Sequence, residues 1–194
     1  DDVWSQDKFV KTLARMRQVE ETCGRDTPIL VHTDLQVVNS SLYPVADSFW
    51  TYQNIHPRGR ENLNRLLLQN VVTGCTVMVN AALRDLALPI PPQAIMHDWW
   101  LALVAAAFGR IEHLDEATIL YRQHAGNEIG ARRWRDVRKL AAAATGPRAM
   151  KQSLLNTQKQ AEAFLGQYGD RLSAEQHQMV SAYASLNQHG KMSR

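Results

Sequence analysis

Ile29-Leu30-Val31, running directly into His32-Thr33-Asp34, is the stretch that most limits what this chain can fold into. Three consecutive large aliphatic residues leave no polar face for water, which is the pattern of a strand buried in a sheet rather than lying on its surface. Residues 35–38 extend the same strand. A helical pattern precedes it: over residues 6–22 Phe9, Val10, Leu13 and Met16 fall on one face, with Lys8, Lys11, Arg15 and Glu20 off it. Ser5 stands where the cap of that helix is expected, and Gly24 with Pro28 ends it.

Further along, residues 40–57 are polar and aromatic, with Phe49, Trp50 and Tyr52 clustered, and read as a loop or short helix. Leu63, Leu66 and Leu67 predict a short amphipathic helix. Residues 70–79 place β-branched runs on both sides of Gly74, a strand pattern in which glycine marks a bulge or a close approach. Residues 81–88 predict a helix stopped by Pro89, Pro91 and Pro92. Met96-His97-Asp98-Trp99-Trp100 then opens an apolar helix through Leu101, Val104, Ala107 and Phe108. Residues 111–114 and 117–121 read as two strands joined through Asp115-Glu116.

Beyond Gly130 the character changes. Arg132, Arg133, Arg135, Arg138 and Lys139 surround Trp134 on one helical segment. Residues 150–187 read as a helical hairpin, with Leu154, Ala161, Leu165 and Tyr168 as one stripe and Met179, Tyr183 and Leu186 as another. Gly169 ends the first helix and Ser173 with Gln176 forms a capping box before the second. The fold class is therefore α/β over residues 1–130, followed by an all-helical extension over 131–194.

At 194 residues the chain can bury a core, and 45% hydrophobic with 21% charged residues excludes a disordered chain. No run approaches the roughly 20 apolar residues of a membrane helix, and no signal peptide precedes the first helix, so a cytoplasmic location is expected. Asp1 opens the chain without an initiator methionine, and sequence upstream of it is expected. Cys23 and Cys75 lack CxxC spacing and read as reduced, buried thiols. A net charge of +3 permits a phosphate-bearing ligand or an anionic lipid surface without requiring either, and no nucleic-acid partner is expected.

Three separated positions carry oxygen or imidazole groups able to hold a hard divalent cation: Asp1-Asp2, Asp98 and His124. Each also has a plain reading. Asp98 in a first turn caps a helix favourably, His124 at a strand end is an ordinary histidine, and Asp1-Asp2 is a charged terminus. Two tryptophans beside Asp98 add an apolar wall that holds a carboxylate ready to accept a proton. Asp34 either lines a binding surface or caps a loop.

In their order, Asp1-Asp2-Val3-Trp4, Asn70-Val71-Val72-Thr73-Gly74-Cys75-Thr76, His97-Asp98-Trp99-Trp100 and Tyr121-Arg122-Gln123-His124 resemble the successive motifs of bacterial family 2 glycosyltransferases with the GT-A fold, in particular the rhamnosyltransferase-like branch that builds surface polysaccharides. The resemblance covers residues 1–134. It implies the C-terminal part of a Rossmann-like, mixed-sheet domain, lacking the preceding half that grips the nucleotide. Asp1 would be the last acid of the family's D-x-D motif and Asp2 the acid after it, completed by His124 in a site for Mn²⁺ or Mg²⁺. Asp98 would be the general base, with His97 where Glu is commoner. Thr73, Gly74 and Cys75 would form the loop beside donor and acceptor, with Trp99 and Trp100 as a sugar platform and Arg122 and Asp34 as further contacts.

The implied reaction is inverting transfer of a sugar from a nucleotide-diphosphate donor to a glycan or lipid-linked acceptor. The Trp134 segment is either a solvated helix face or a patch that brings the enzyme to the inner membrane surface, and the hairpin a packing or homo-oligomerisation element. Two other readings stand beside this one. A truncated homologue would bind or associate without catalysis, exposing sheet edges. A metal-dependent hydrolase would need several close ligands around a water-activating ion, which no spacing in the sequence provides.

Overall fold

The computed structural model describes residues 2–123 and 147–186. His124, Asp1 and the basic segment around Trp134 lie outside the described residues. The architecture is α/β around a mixed sheet. Its centre is the predicted buried strand, β2 (Ile29–Val38), which follows β1 (Val3–Trp4) and α1 (Lys8–Cys23) in the chain. After it come β3 (Pro44–Ala46), α2 (Phe49–Gln53), α3 (Leu63–Leu66), β4 (Met78–Val79) and α4 (Ala81–Ala87). Then follow α5 (His97–Phe108), β5 (Arg110–Arg122), α6 (Pro147–Tyr168) and α7 (Ala174–Ser185).

β2 pairs in parallel with β5, and antiparallel on its other edge with β4 at Leu30–Val31 and with β3 at Val37–Val38. β1 closes the far side of β5, with Val3 opposite Leu120. Because alternate residues of a strand face opposite ways, Ile29 and Val31 meet Met16 and Val19 of α1, while Leu30 enters the main core with α5. The region expected as two strands is one strand, β5. Thr33 pairs with Leu114 and Asp34 with Ala117, so Asp115 and Glu116 are passed over as a bulge rather than a turn.

The apolar face expected of α1 is buried only in part, at Met16 and, half-buried, Leu13. Phe9 and Val10 are 59% and 66% exposed, whereas Lys8, Thr12, Met16 and Val19 are turned inward. Met16 and Val19 set that choice because they reach the sheet, while Thr12 satisfies its buried hydroxyl on the Lys8 carbonyl at 2.7 Å. Asp7, not Ser5, is the N-cap, and it makes no side-chain capping bond. Ser5 instead donates its backbone N–H to the Thr118 carbonyl and fastens the segment to β5. Both thiols are free but half-buried rather than buried.

α5 is apolar on most of its circumference because it is covered on more than one side. Trp100, Ala102, Leu103, Val104 and Ala105 are buried. They share one core cluster with Leu30 of the sheet, with α3 and α4, and with Ala161, Phe164, Tyr168, Val180 and Ala184 of the hairpin. The expected hairpin stripes face the core at Ala161, Leu165, Tyr168, Met179 and Tyr183 but not at their outer ends. Leu154 and Leu186 are exposed, and Phe164 is fully buried against Trp100 at 5.6 Å and Tyr168 at 4.9 Å between ring centroids. The capping box of Ser173 and Gln176 forms as expected. Gln176 also donates its amide to the Ala107 carbonyl at 2.9 Å, tying α7 to α5.

Candidate functional site

The Thr73-Gly74-Cys75 segment is not a strand. Gly74–Thr76 forms a single 3-10 turn, held by Thr76, whose N–H and hydroxyl both donate to the Thr73 carbonyl. The turn brings the Gly74 backbone against the first turn of α5. A Cβ at Gly74 would lie 2.9 Å from His97 Nε2 and 3.2 Å from Asp98 Oδ2, so the close approach expected at this glycine is present although the bulge is not.

Asp98 is 2% exposed and its Oδ1 accepts the Trp99 N–H at 2.7 Å. Burial raises its carboxyl above the ordinary value, against the pull of the Trp99 and Gly74 N–H groups and of His97. A carboxylate so held takes up a proton more readily than one in water, which suits a general base. It opens on a cavity of about 350 Å³ lined by Thr73, Gly74, Cys75, His97, Phe49 and Tyr121 among others. Phe49 and Tyr121 stand edge to face at 5.9 Å and form its aromatic wall.

Asp2 belongs to the same neighbourhood. Its Oδ1 accepts the Arg122 N–H at 3.1 Å, which fixes the chain start beside the end of β5, two residues before His124 in the sequence. The Cys75 thiol is pushed up to about 11, first by burial and then by the negative charges of Asp2 and, more weakly, Asp98. It is therefore a neutral thiol in the cavity wall and no nucleophile at pH 7. Arg122 donates from Nη1 to the Ser40 carbonyl at 3.3 Å.

Three side chains expected at this site do not line the cavity. Trp100 is fully buried among Phe164 and Tyr168 and offers no face to a sugar, while Trp99 is packed against the core with Nε1 donating to the Leu66 carbonyl at 2.6 Å. Asp34 also lies apart. Its Oδ1 accepts the N–H groups of Leu35, Phe49 and Trp50 and its Oδ2 the Ser48 hydroxyl, so it caps the α2 turn from the middle of β2. It borders a different cavity, of about 390 Å³, with Trp50, Arg58 and Asp115. The capping alternative read from the sequence describes it.

Sequence reasoning missed Phe49 and Tyr121 as the ring wall, and it missed a second polar cluster entirely. His32 and His113, paired across β2 and β5, flank Glu61: His32 Nε2 lies 2.8 Å and His113 Nδ1 2.9 Å from Glu61 Oε1. Although burial works against it, the two imidazoles hold the Glu61 carboxyl at about 2, and Glu61 in turn raises His113. No local spacing signals this group, because the parallel register assembles it. Compared with known proteins, the chain matches no protein-family model, no curated protein and no solved structure.

Proposed function

We propose that this chain is the acceptor-side part of an inverting, nucleotide-sugar-dependent glycosyltransferase of the family 2, GT-A type, working in surface polysaccharide synthesis. The observation that carries the reading is the convergence of Gly74-Cys75, the buried Asp98 and Tyr121, far apart in the chain, around one cavity, with the Asp2 charge acting on Cys75 in its wall. In this reading Asp98 accepts the proton of an acceptor hydroxyl as that oxygen bonds to the anomeric carbon. The bond from that carbon to the nucleoside diphosphate breaks at the same time, with inversion. Gly74 lets backbone and sugar approach the carboxylate, and Phe49 with Tyr121 supplies the apolar ring surface. Asp2, together with Asp1 and His124, offers the carboxylate and imidazole donors that suit Mn²⁺ or Mg²⁺, and such an ion would neutralise charge on the leaving diphosphate.

Among the described residues no helix is long and apolar enough to cross a membrane. A lipid-linked acceptor would accordingly be met at the cytoplasmic face by surface contact. The test is calorimetric titration with UDP and dTDP, with and without Mn²⁺, on the wild type, Asp98→Asn and His124→Ala. Metal-dependent binding that weakens in His124→Ala and survives in Asp98→Asn is expected. No binding under any condition overturns the donor site. A second reading, a binding or oligomerisation module without turnover, is favoured by one observation, the exposed apolar side chains of Trp4, Phe9 and Val10. Concentration-dependent association without nucleotide binding would select it.

A further inference from the structure

We infer that His32, Glu61 and His113 form a binding site for a divalent transition metal of the zinc class, separate from the Asp98 cavity. The three donor atoms lie within 4.8 Å of one another, and none of the three residues lines that cavity. Two imidazoles and one carboxylate make an N₂O set, which borderline ions such as Zn²⁺ favour over Mg²⁺ or Ca²⁺. Tetrahedral zinc bonds of about 2.0 to 2.1 Å put neighbouring donors about 3.3 Å apart. The two separations from Glu61 Oε1, 2.8 and 2.9 Å, need to open by about half an ångström, and all three donor atoms already lie within 4.8 Å of one another.

The surroundings are those of a ligand set. His32 is fully buried, so its ring is fixed, while Glu61 and His113 keep 14% and 16% of their side chains exposed and leave a way in for an ion and a fourth, solvent ligand. Beyond His113, its Nε2 faces Asp115 Oδ1 at 3.6 Å, and Asp115 is held by Arg58. A carboxylate behind a ligating imidazole orients the ring and raises its basicity. Trp50 closes the site edge-on to both rings, at 5.6 Å from His32 and 5.7 Å from His113. His32 Nδ1 has no hydrogen-bond partner. When Nε2 gives its lone pair to the metal the proton resides on Nδ1, which stays unpaired in this fold.

The test titrates the full chain, stripped with EDTA, with Zn²⁺ against a chromophoric chelator, and with Co²⁺ followed by its visible d–d absorption. One tetrahedral Co²⁺ site per chain, filled without nucleotide, is expected. Glu61→Gln and His113→Gln, chosen because both positions are partly exposed, should weaken binding by roughly 100-fold or more, and Asp115→Asn by roughly 10-fold or more, as loss of a ligand and of its orienting group demand. Circular dichroism checks that each variant folds. Asp2→Asn and His124→Ala should leave Zn²⁺ affinity unchanged, which separates this site from the one proposed for the diphosphate. Absence of tetrahedral Co²⁺ bands in the wild type, binding that survives both ligand substitutions, or loss of Zn²⁺ in the Asp2 and His124 variants instead would each overturn the assignment.

Discussion

Phe164→Ala tests whether the C-terminal hairpin is part of the core that positions Asp98 or an appendage to it. Phe164 is fully buried, in ring contact with Trp100 and Tyr168 and stacked on Phe108 at 6.5 Å, so truncation removes a ring from the centre of the cluster. Phe→Ala in a packed core costs about 3–5 kcal/mol, and α5 cannot collapse into the gap without moving the helix that carries Asp98. With an unfolding entropy near 2.1 cal/mol/K per residue, a chain of this size loses roughly 7–12 °C in melting temperature. The assay is thermal melting followed by far-UV circular dichroism for the helices and near-UV for the tryptophans. Both probes should shift together in one transition. A shift under about 2 °C, or a far-UV transition that moves while the near-UV one stays, would show that the hairpin does not share the core.

Asp98→Asn tests the electrostatics of the buried acid. An acid whose folded value lies above its ordinary 3.8 stabilises the fold while protonated, and that contribution is lost as pH rises through the folded value. Urea melts from pH 4 to 8 should therefore show the variant gaining on the wild type as pH rises, whatever constant offset the altered bond to Gly74 adds; a gap independent of pH refutes the burial argument. Gly74→Ala should change stability by no more than about 1 kcal/mol, because exposed His97 can swing aside. On the proposed function it should nevertheless cut sugar transfer by roughly 10-fold or more as Asp98 is displaced by a few tenths of an ångström, and unchanged transfer would remove Gly74 from the site. Gly109→Ala would put a Cβ 1.9 Å from the Pro28 carbonyl oxygen, a backbone collision, so a loss of about 3 kcal/mol or more in denaturant unfolding is expected, and a near-neutral result would contradict the packing between α5 and β2.

What could be read from the chain follows how local each determinant is. β2 was legible because a continuous apolar run has few alternatives, and the capping box of α7 because Ser173 and Gln176 sit within one turn. The face of α1 was not legible: Phe9 with Val10 and Met16 with Val19 offer competing apolar arcs, and only the sheet decides between them. Asp115-Glu116 reads as a break between two strands, but the charged pair is accommodated inside β5 where the ladder skips two residues, a feature of pairing rather than of the strand itself. The His32, Glu61 and His113 group depends on the parallel register, which pairs the two histidines, and on the loop before α3, which brings Glu61 to them.

At the candidate site Asp98 and Gly74 stand together beside one cavity, whereas neither Trp99 nor Trp100 lines it, for a reason the helix itself supplies. At about 100° per residue, Trp100 stands about 200° from Asp98, on the opposite side of α5. Once the acid faces the cavity, that ring must face the core, where it meets Phe164 and Tyr168. Trp99, about 100° away, is turned to the flank and spends its indole N–H on Leu66. An acid followed by two aromatics at a helix start thus anchors the helix behind the site rather than furnishing it. The ring wall then has to come from other elements, here Phe49 on α2 and Tyr121 on β5, and which elements those are is a property of the assembled sheet.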